Sequence, residues 1–311
     1  MTRAPHVRFL ADGRRLHLQD GPIDLVVQAF GAHDHVQRAY RTAAETFAGL
    51  LDTLCDELPE LRAQANGSGT RLRGRVARRM FAAVAPFADD CFITPMAAVA
   101  GAVAEEILGA MTVSADLDRA YVNNGGDIAL YLAPGERFTV GLVDRPDQPS
   151  LIGTAVIEAS HAARGIATSG RHGRSFSLGI ADAVTVLAAT AAQADAAATI
   201  IANAVDLPGH PAVTRIAARE LQPDNDLGNR PVTRDVARLA LSDIEMALAA
   251  GVVTADALLA RGLITGAALR LQGETRWVGI DAGSSIAADG VPPLSCPVHT
   301  PHHRSESLMN A

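Results

Sequence analysis

The sequence predicts an α+β fold, because strand-like and helix-like segments fall into separate blocks along the chain. Short alternating or apolar segments cluster at residues 6–29 and again at 119–158, and stretches of helical periodicity lie between and after them. A parallel α/β fold would instead repeat strand and helix in turn. The 311 residues can bury a substantial core, and we expect one domain over residues 1–280, with antiparallel or mixed sheets packed against helices.

Three kinds of pattern predict the elements of the N-terminal half. Alternation across Gly13 indicates a hairpin. Apolar residues three or four apart from Val36 to Leu54 indicate a helix, and Pro134-Gly135 is typical of a turn between strands. The predicted elements are, in order, strands 6–10, 13–18 and 23–29, helices 35–62, 72–86 and 95–110, and strands 119–123, 127–132, 137–143 and 152–158.

The C-terminal half is predicted from a small-residue loop followed by apolar segments. The predicted elements are the loop Thr168-Ser169-Gly170, a buried strand at 182–189, helices 192–204, 233–250 and 254–261, and a closing hairpin at 269–279. Residues 281–311 are rich in Gly, Ser, Pro and His, a composition that favours a disordered tail.

Charge and composition exclude several classes of function. The net charge of −7 argues against nucleic acid as a partner, because phosphate contacts need clustered cations. The chain contains no lysine, which excludes a lysine Schiff base and a Walker-type phosphate lysine. Any charge placed on a phosphate must therefore come from arginine, backbone N–H groups or a metal ion. The Arg-rich stretch 71–79 is either a solvated basic face or a local site for an anion.

The cysteines and the apolar segments bear on the cellular compartment. Three cysteines without C-x-x-C spacing argue against a disulfide framework and against a structural zinc site. The N-terminal residues lack an apolar leader segment, and the apolar stretch 95–104 ends at Glu105-Glu106, too short to span a membrane. We therefore expect a cytoplasmic protein without a membrane span. The Ala- and Gly-rich composition of 95–104 would suit close packing within or between subunits, which leaves a homo-oligomer open.

Two stretches carry the candidate chemistry. Residues 121–131 read as a strand that ends in an Asn-Asn-Gly-Gly-Asp turn, where backbone can approach another group closely. Further along, Asp195 and Thr199 are four residues apart on one helix face. Two oxygen side chains beside Gly-rich loops could hold a hard cation and a phosphate. The alternatives are a plain tight turn at Gly125-Gly126, and an Asp195 that only complements the helix dipole.

These segments together resemble the flavin-transferase superfamily named for the thiamine-biosynthesis lipoprotein ApbE, and within it the UPF0280 family. The resemblance spans roughly residues 5–280 and depends on the order and spacing of several motifs. The motifs are Thr94-Pro95-Met96-Ala97-Ala98-Val99-Ala100-Gly101, Asn124-Gly125-Gly126-Asp127, Thr168-Ser169-Gly170, Ala181-Asp182-Ala183 and Ala194-Asp195-Ala196-Ala197-Ala198-Thr199.

The resemblance implies an ApbE-like fold, an FAD ligand and a divalent metal ion, Mg²⁺. In the superfamily reaction a Thr or Ser of an acceptor protein attacks FAD, which yields FMN-protein and AMP. A small-molecule nucleotide and an acceptor protein are therefore the expected partners. The implied metal ligands are Asp195 and Thr199. The implied cofactor contacts are Asn124, Gly125, Gly126, Asp127, Thr168, Ser169 and Gly170.

The segment after the Thr-Ser-Gly loop supplies the other candidate residues. Arg171 and Arg174 flank His172 in a polar loop, where they could meet a pyrophosphate. His172 is either a surface residue, or a site acid or base or phosphate contact. Asp182 opens a buried strand, so it is either a catalytic base or the acceptor of a structural hydrogen bond. Asp182 and His172 are our catalytic candidates, and Arg171 is counted among the cofactor contacts.

Two departures from the transferase pattern keep a second hypothesis open. Transferases of the superfamily carry a Ser-His-x-x-Asp-Pro segment after the Thr-Ser-Gly loop, whereas residues 171–180 contain no Asp-Pro. They also place a lysine before a glycine where this chain has Ala100-Gly101. The alternative is a non-catalytic flavin- or nucleotide-binding protein, or an enzyme that acts on an unrelated small molecule.

Overall fold

A large antiparallel sheet with helices on one face organises the computed structural model, which describes residues 4–66, 71–143 and 151–279. The strands are β1 (His6–Phe9), β2 (Leu16–Asp20), β3 (Ile23–Phe30), β4 (Arg119–Asn124), β5 (Asp127–Leu132), β6 (Arg137–Val143), β7 (Leu151–Glu158), β8 (Gly165–Ser169), β9 (Ala183–Ala188), β10 (Val213–Ala217), β11 (Pro231–Val236), β12 (Gly266–Leu271) and β13 (Glu274–Val278). The helices are α1 (His33–Phe47), α2 (Leu50–Cys55), α3 (Leu58–Leu61), α4 (Arg75–Val84), α5 (Val99–Ser114), α6 (Ala191–Ala204), α7 (Ala218–Leu221) and α8 (Leu241–Ala260).

Nine of these strands form one sheet in the order β1-β2-β3-β4-β5-β8-β9-β12-β13. Every neighbouring pair in it is antiparallel. The antiparallel pairs β6–β7 and β10–β11 form two further small sheets. The α+β class predicted from the sequence is therefore confirmed. The predicted tail at 281–311 lies outside the described residues, and a single domain over 1–280 stays a prediction.

The two faces of the large sheet are covered by different elements. Ala129 and Ala167 point into the main core, which they share with α1, α4, α5, α6 and α8. Leu130 and Ile166, one position along each strand, point into a smaller core with Ile157 of the β6–β7 hairpin. This alternation is the period of two that a strand imposes on its side chains. The sheet is thus covered on both faces where β5 and β8 meet.

Helix α5 is the central apolar helix of the main core. The 3-10 turn and α5 together form the segment Pro95–Ser114, which has a mean hydropathy of 1.5. Among the described residues, this is the one helical segment that is long and apolar enough to cross a membrane. It is longer than the apolar stretch expected from the sequence. Within the fold it packs on α1, α6, β4 and β5, and Glu105 and Glu106 form ion pairs with Arg79. Packing inside the subunit therefore accounts for its apolar composition.

The long helix predicted over 35–62 is wrong in its continuity. The chain forms three shorter helices there, α1, α2 and α3. Gly49 stands between the first two with a φ of 77°, a left-handed conformation that interrupts a right-handed helix. Helical spacing of apolar residues continues across such a break, so periodicity alone does not detect it.

The predicted helices at 233–250 and 254–261 are also wrong in their bounds. Residues 231–236 form β11, and one continuous helix, α8, follows. Gly251 lies inside α8. A side chain at this position would overlap Val205, which packs directly against the glycine. The predicted loop Thr168-Ser169 is in fact the end of β8, paired in register with Thr185 and Val184. β10 and β11 were not anticipated from the sequence.

The contact of α5 with α6 gives a direct test of the fold. A Cβ on Gly101 would overlap the backbone of Ala191, whereas a Cβ on Gly109 of the same helix would meet no atom within 4 Å. We expect Gly101→Ala to lower the free energy of unfolding by about 1–3 kcal/mol through overpacking. Gly109→Ala should raise it by about 0.5–1 kcal/mol through helix propensity. Urea unfolding of both variants measures this, and equal effects would contradict the packing described.

Candidate functional site

The Gly-Gly turn between β4 and β5 forms one wall of the candidate site. Gly125 and Gly126 have φ values of 66° and 115°, which a two-residue hairpin loop requires and which glycine adopts without strain. The Asn123 side chain accepts a hydrogen bond from the Gly126 N–H at 2.8 Å. The buried Asn124 donates from Nδ2 to the Ala100 carbonyl at 3.2 Å. The turn is therefore fixed to the start of α5, and Asp127 follows it directly.

Asp127 is a carboxylate held in a poorly solvated place at the start of β5. The backbone N–H of Thr168 donates to its Oδ1 atom at 3.3 Å. Burial raises the pKa of Asp127 from 3.8 to about 7, although the Thr168 hydrogen bond and the positive charge of Arg174 act in the opposite direction. Near neutral pH this group is thus poised between its acid and its anion.

Asp195 brings a second carboxylate to the same place from the first turns of α6. Its Oδ2 atom accepts a hydrogen bond from the Gly101 N–H at 3.0 Å. Burial, and then the negative charge of Asp127, raise the pKa of Asp195 well above its ordinary value. The two carboxylates are therefore close enough to repel each other. Thr199 lies one turn further along the same face of α6 and is half-buried.

Such a carboxylate pair is suited to a hard divalent cation. Mg²⁺ is commonly bound through one or two carboxylates together with the phosphates of a substrate. Across the described ranges, no cluster of three or more His, Cys, Asp and Glu residues could enclose a metal. The donor set therefore fits an open magnesium site completed by a ligand, and it does not fit a closed four-ligand zinc site.

Arg174 is a cation close to Asp127. Its guanidinium lies over Gly125, where it occupies the place that a Cβ on this residue would take. It also donates to the Pro22 carbonyl at 3.5 Å, and its charge lowers the pKa of Asp127. Arg174 is exposed to solvent. Arginine therefore stands beside the carboxylates, as expected for a phosphate contact in a chain without lysine.

Asp182 fixes the loop that carries Arg171 and His172. Its Oδ1 atom lies 2.7 Å from Arg171 Nη2 and 3.3 Å from His172 Nε2. Its Oδ2 atom accepts from the backbone N–H of Gln272 in the β12–β13 turn. Both oxygens are thus engaged. These contacts fit the structural hydrogen-bonding role that the sequence left open beside the role of a base.

Gly170 allows this loop to turn at the end of β8. Its φ is 151°, and a Cβ would come within 2.5 Å of the Asp182 carbonyl oxygen. The Thr168 hydroxyl is 2.9 Å from the hydroxyl of buried Thr185 on β9, and Ser169 pairs with Val184 in the same ladder. Strand pairing therefore holds Thr168 and Ser169, and the position in the motif that requires glycine is Gly170.

The N-terminus of α6 is not open to an anion, although it lies close by. The Thr190 hydroxyl accepts a hydrogen bond from the Gln193 N–H at 3.3 Å, and Glu105 Oε1 accepts one from the Ala192 N–H at 2.7 Å. These side chains satisfy donors that would otherwise bind phosphate. Arg171, Arg174 and the glycine turn therefore remain as the candidate anion-binding groups here.

The structure brings together two carboxylates that sequence reasoning had assigned to different tasks. Asp127 was taken as a cofactor contact and Asp195 as a metal ligand, 68 residues apart in the chain. The role of Ala100 and Gly101, whose backbone atoms bind Asn124 and Asp195, was also missed. No spacing in the sequence signals these contacts. Only the antiparallel order of the sheet and the packing of α5 on α6 create them.

The raised pKa of Asp127 predicts a stabilising effect of Asp127→Asn. Because the folded-state pKa is about 7 and the ordinary value is 3.8, the folded state binds the proton more tightly, and wild-type stability falls as pH rises between these values. In EDTA at pH 8 the variant should melt about 5 °C above wild type, and the gap should shrink as pH falls toward 4. Thermal melts across this range measure it. A gap that does not depend on pH would contradict the account.

Comparison with known proteins supports the resemblance expected from the motifs. A UPF0280 protein of Methanopyrus kandleri is 41% identical over 128 residues, which cover 41% of this chain and 48% of that protein. A UPF0280 protein of Methanothrix thermoacetophila is 43% identical over 117 residues, which cover 36% of this chain and 46% of that protein. The chain thus aligns with about half the length of these curated relatives.

A solved structure and a family model extend the comparison over most of the chain. The apo form of the Pseudomonas stutzeri flavinyl transferase ApbE aligns with 88% of this chain and 94% of its own, with a TM-score of 0.43 and 11% identity. That likeness is too low for a residue-by-residue comparison. The family model described as AbpE bacteria matches residues 7–277. This match includes every residue of the candidate site, and the chain belongs to that family.

Proposed function

We propose that this chain binds FAD together with Mg²⁺ and acts as an FAD:protein FMN transferase. The observation that carries the proposal is the half-buried pair Asp127 and Asp195, whose charges repel each other in the absence of a cation. The negative charge of a diphosphate ligand would favour a divalent cation at this site, and the phosphate oxygens would complete the coordination of that cation. Membership of the family favours a flavin as the nucleotide.

The metal would be held by Asp127, Asp195 and the Thr199 hydroxyl. Bound there, Mg²⁺ would neutralise charge on the diphosphate and polarise its phosphorus–oxygen bonds. Asp127 and Asp195 are already oriented by backbone N–H groups from Thr168 and Gly101. Such support keeps the carboxylate oxygens in place before the ligand arrives, which lowers the cost of ordering them on binding.

Two arginines and the glycine turn would hold the diphosphate. Arg174, above Gly125, is near enough to Asp127 to lower its pKa. Arg171 is fixed by its ion pair with Asp182, and this leaves its planar guanidinium oriented. The positive φ values of Gly125 and Gly126 let the backbone approach a ligand without a side chain intervening. In this proposal Asp182 is a positioning residue.

The transfer itself requires an acceptor hydroxyl and a group that takes its proton. The acceptor oxygen would form a bond to the phosphorus of the FMN half, and the anhydride bond to the AMP half would break. His172, held 3.3 Å from Asp182 by its Nε2 atom, would take the hydroxyl proton, and AMP would leave with the bridging oxygen. Asp182 would stabilise the resulting imidazolium by its negative charge.

A binding protein without transfer activity is the second candidate function. Both oxygens of Asp182 are engaged by Arg171, His172 and the Gln272 N–H, so Asp182 itself is not a free base. The interval 171–180 also lacks the Asp-Pro of the transferases. Binding of FAD with Mg²⁺ and no release of AMP would favour this candidate.

The proposed site predicts stabilisation by FAD that depends on Mg²⁺. We expect the melting temperature of wild type to rise by several degrees with FAD and Mg²⁺ together, and much less with either alone, since each would complete the site of the other. Asp195→Asn should remove this joint effect because it removes a metal ligand. Asp256→Asn, an exposed carboxylate on α8, is the matched control and should behave as wild type.

The same preparation separates binding from transfer. With Mg²⁺ and a cell extract as the source of acceptor protein, AMP release from FAD, followed by chromatography, should occur in wild type and be lost in Asp195→Asn if the chain is a transferase. Joint stabilisation without AMP in any preparation would support the binding protein instead. If Asp195→Asn kept the full Mg²⁺-dependent stabilisation, the assignment of the metal to this carboxylate pair would be wrong.

A further inference from the structure

A second cleft lies beside β11 and shares no residue with the carboxylate site. Its volume is about 540 Å³, which is within the range of small-molecule sites. One wall is the segment from Asn225 to Pro231, and the other consists of Arg62 and Phe92. The lining therefore combines two arginines, an aromatic ring and polar loop side chains.

Arg230 is the most distinctive group in this cleft. Its guanidinium carbon lies 3.4 Å from the centre of the Phe92 ring, so the ring holds it by a cation–π contact. Across the described part of the chain it forms no ion pair, in contrast to Arg62, which is paired with Asp224. Stacking orients the guanidinium plane and leaves its N–H edge for another partner. An oriented, unpaired arginine at a cleft is suited to a phosphate or carboxylate.

The loop that carries Arg230 is held by its own hydrogen bonds. The Asn225 side chain accepts from the Leu227 and Gly228 N–H groups at 2.7 and 2.9 Å. The Arg230 N–H donates to the Leu227 carbonyl at 3.1 Å. Asp226 accepts from the hydroxyl of buried Thr94 through Oδ2. The cleft is thus built before any ligand binds.

We propose that this cleft binds a small organic anion, whose phosphate or carboxylate group is held by the guanidinium of Arg230. The Phe92 ring supports that guanidinium, and Asp226 offers an acceptor for a hydroxyl or amino group of the ligand. A guanidinium can bind either anion through two parallel hydrogen bonds. The inference needs no metal ion and does not depend on the function proposed for the carboxylate pair.

The cleft is connected to the carboxylate pair through one short segment. Thr94, bonded to Asp226, precedes the 3-10 turn Pro95–Ala98, and α5 begins at the next residue. Gly101, whose N–H binds Asp195, is then roughly 12 Å away along the segment, from the rise per residue of the two helix types. The cleft and the carboxylate pair therefore contact opposite ends of one short helical segment.

The test is a binding titration of the full chain in EDTA. Inorganic phosphate, AMP and succinate are titrated separately by calorimetry into wild type, Arg230→Gln, Arg234→Gln and Arg174→Gln. Arg234 is an exposed arginine on β11 and outside the cleft lining, so it is the matched control. We expect at least one anion to bind wild type at millimolar concentration or better. Arg230→Gln should weaken it about tenfold or more, and the other two variants should bind as wild type does.

The pattern across the probes identifies the ligand chemistry. Tighter binding of AMP than of phosphate would show a phosphate ligand with an organic part, and preference for succinate would show a carboxylate. Absence of binding by all three anions would overturn the proposal, as would equal binding by Arg230→Gln. Loss of binding in Arg174→Gln would place the anion beside the carboxylate pair and would also overturn it.

Discussion

The repulsion between Asp127 and Asp195 is the constraint on which the rest of the site depends. Burying two carboxylates together costs stability unless a proton or a cation neutralises them. Their described hydrogen-bond donors are backbone N–H groups, and the charge of Arg174 acts on Asp127 against the larger effect of burial. Proteins commonly tolerate such a cost where a ligand later offsets it. The instability of the empty pair is thus the physical reason to expect a cation there.

The scaffold around the pair is rigid for identifiable reasons. Gly101 lets α5 approach the start of α6 so closely that its N–H reaches Asp195. The hairpin turn at Gly125 and Gly126 places Asp127 at the start of β5, next to β8. Pairing of β5 with β4 and with β8 fixes the register of this strand in the sheet. Preorganisation of this kind comes from packed secondary structure and not from loops. The candidate side chains on a loop are Arg171, His172 and Arg174, and Asp182 holds the first two of them.

Many of the strands, helices and turns around the site could be predicted from the sequence, but the tertiary contacts between them could not. The apolar periodicity of β3, β4, β5 and α6 gave their positions within two residues, and the Asn-Gly-Gly-Asp turn was recognised by its glycines. The break between helices at Gly49 and the continuity of α8 through Gly251 were not predicted from the sequence, because both depend on tertiary packing. The meeting of Asp127 with Asp195 was missed for the same reason. Local sequence patterns predict which side of a helix or strand is buried and where the chain turns. Contacts between side chains that are distant in the sequence depend on the topology of the fold.

The most direct measurement is anomalous diffraction from a crystal grown with Mn²⁺ in place of Mg²⁺ and with FAD. Mn²⁺ takes similar oxygen ligands and can be located without ambiguity. We expect one strong peak between the Asp127 and Asp195 carboxylates, within about 2.3 Å of an oxygen of each, and with FAD phosphate oxygens beside it. A peak bound elsewhere on the chain, with these two carboxylates free of metal, would contradict the account.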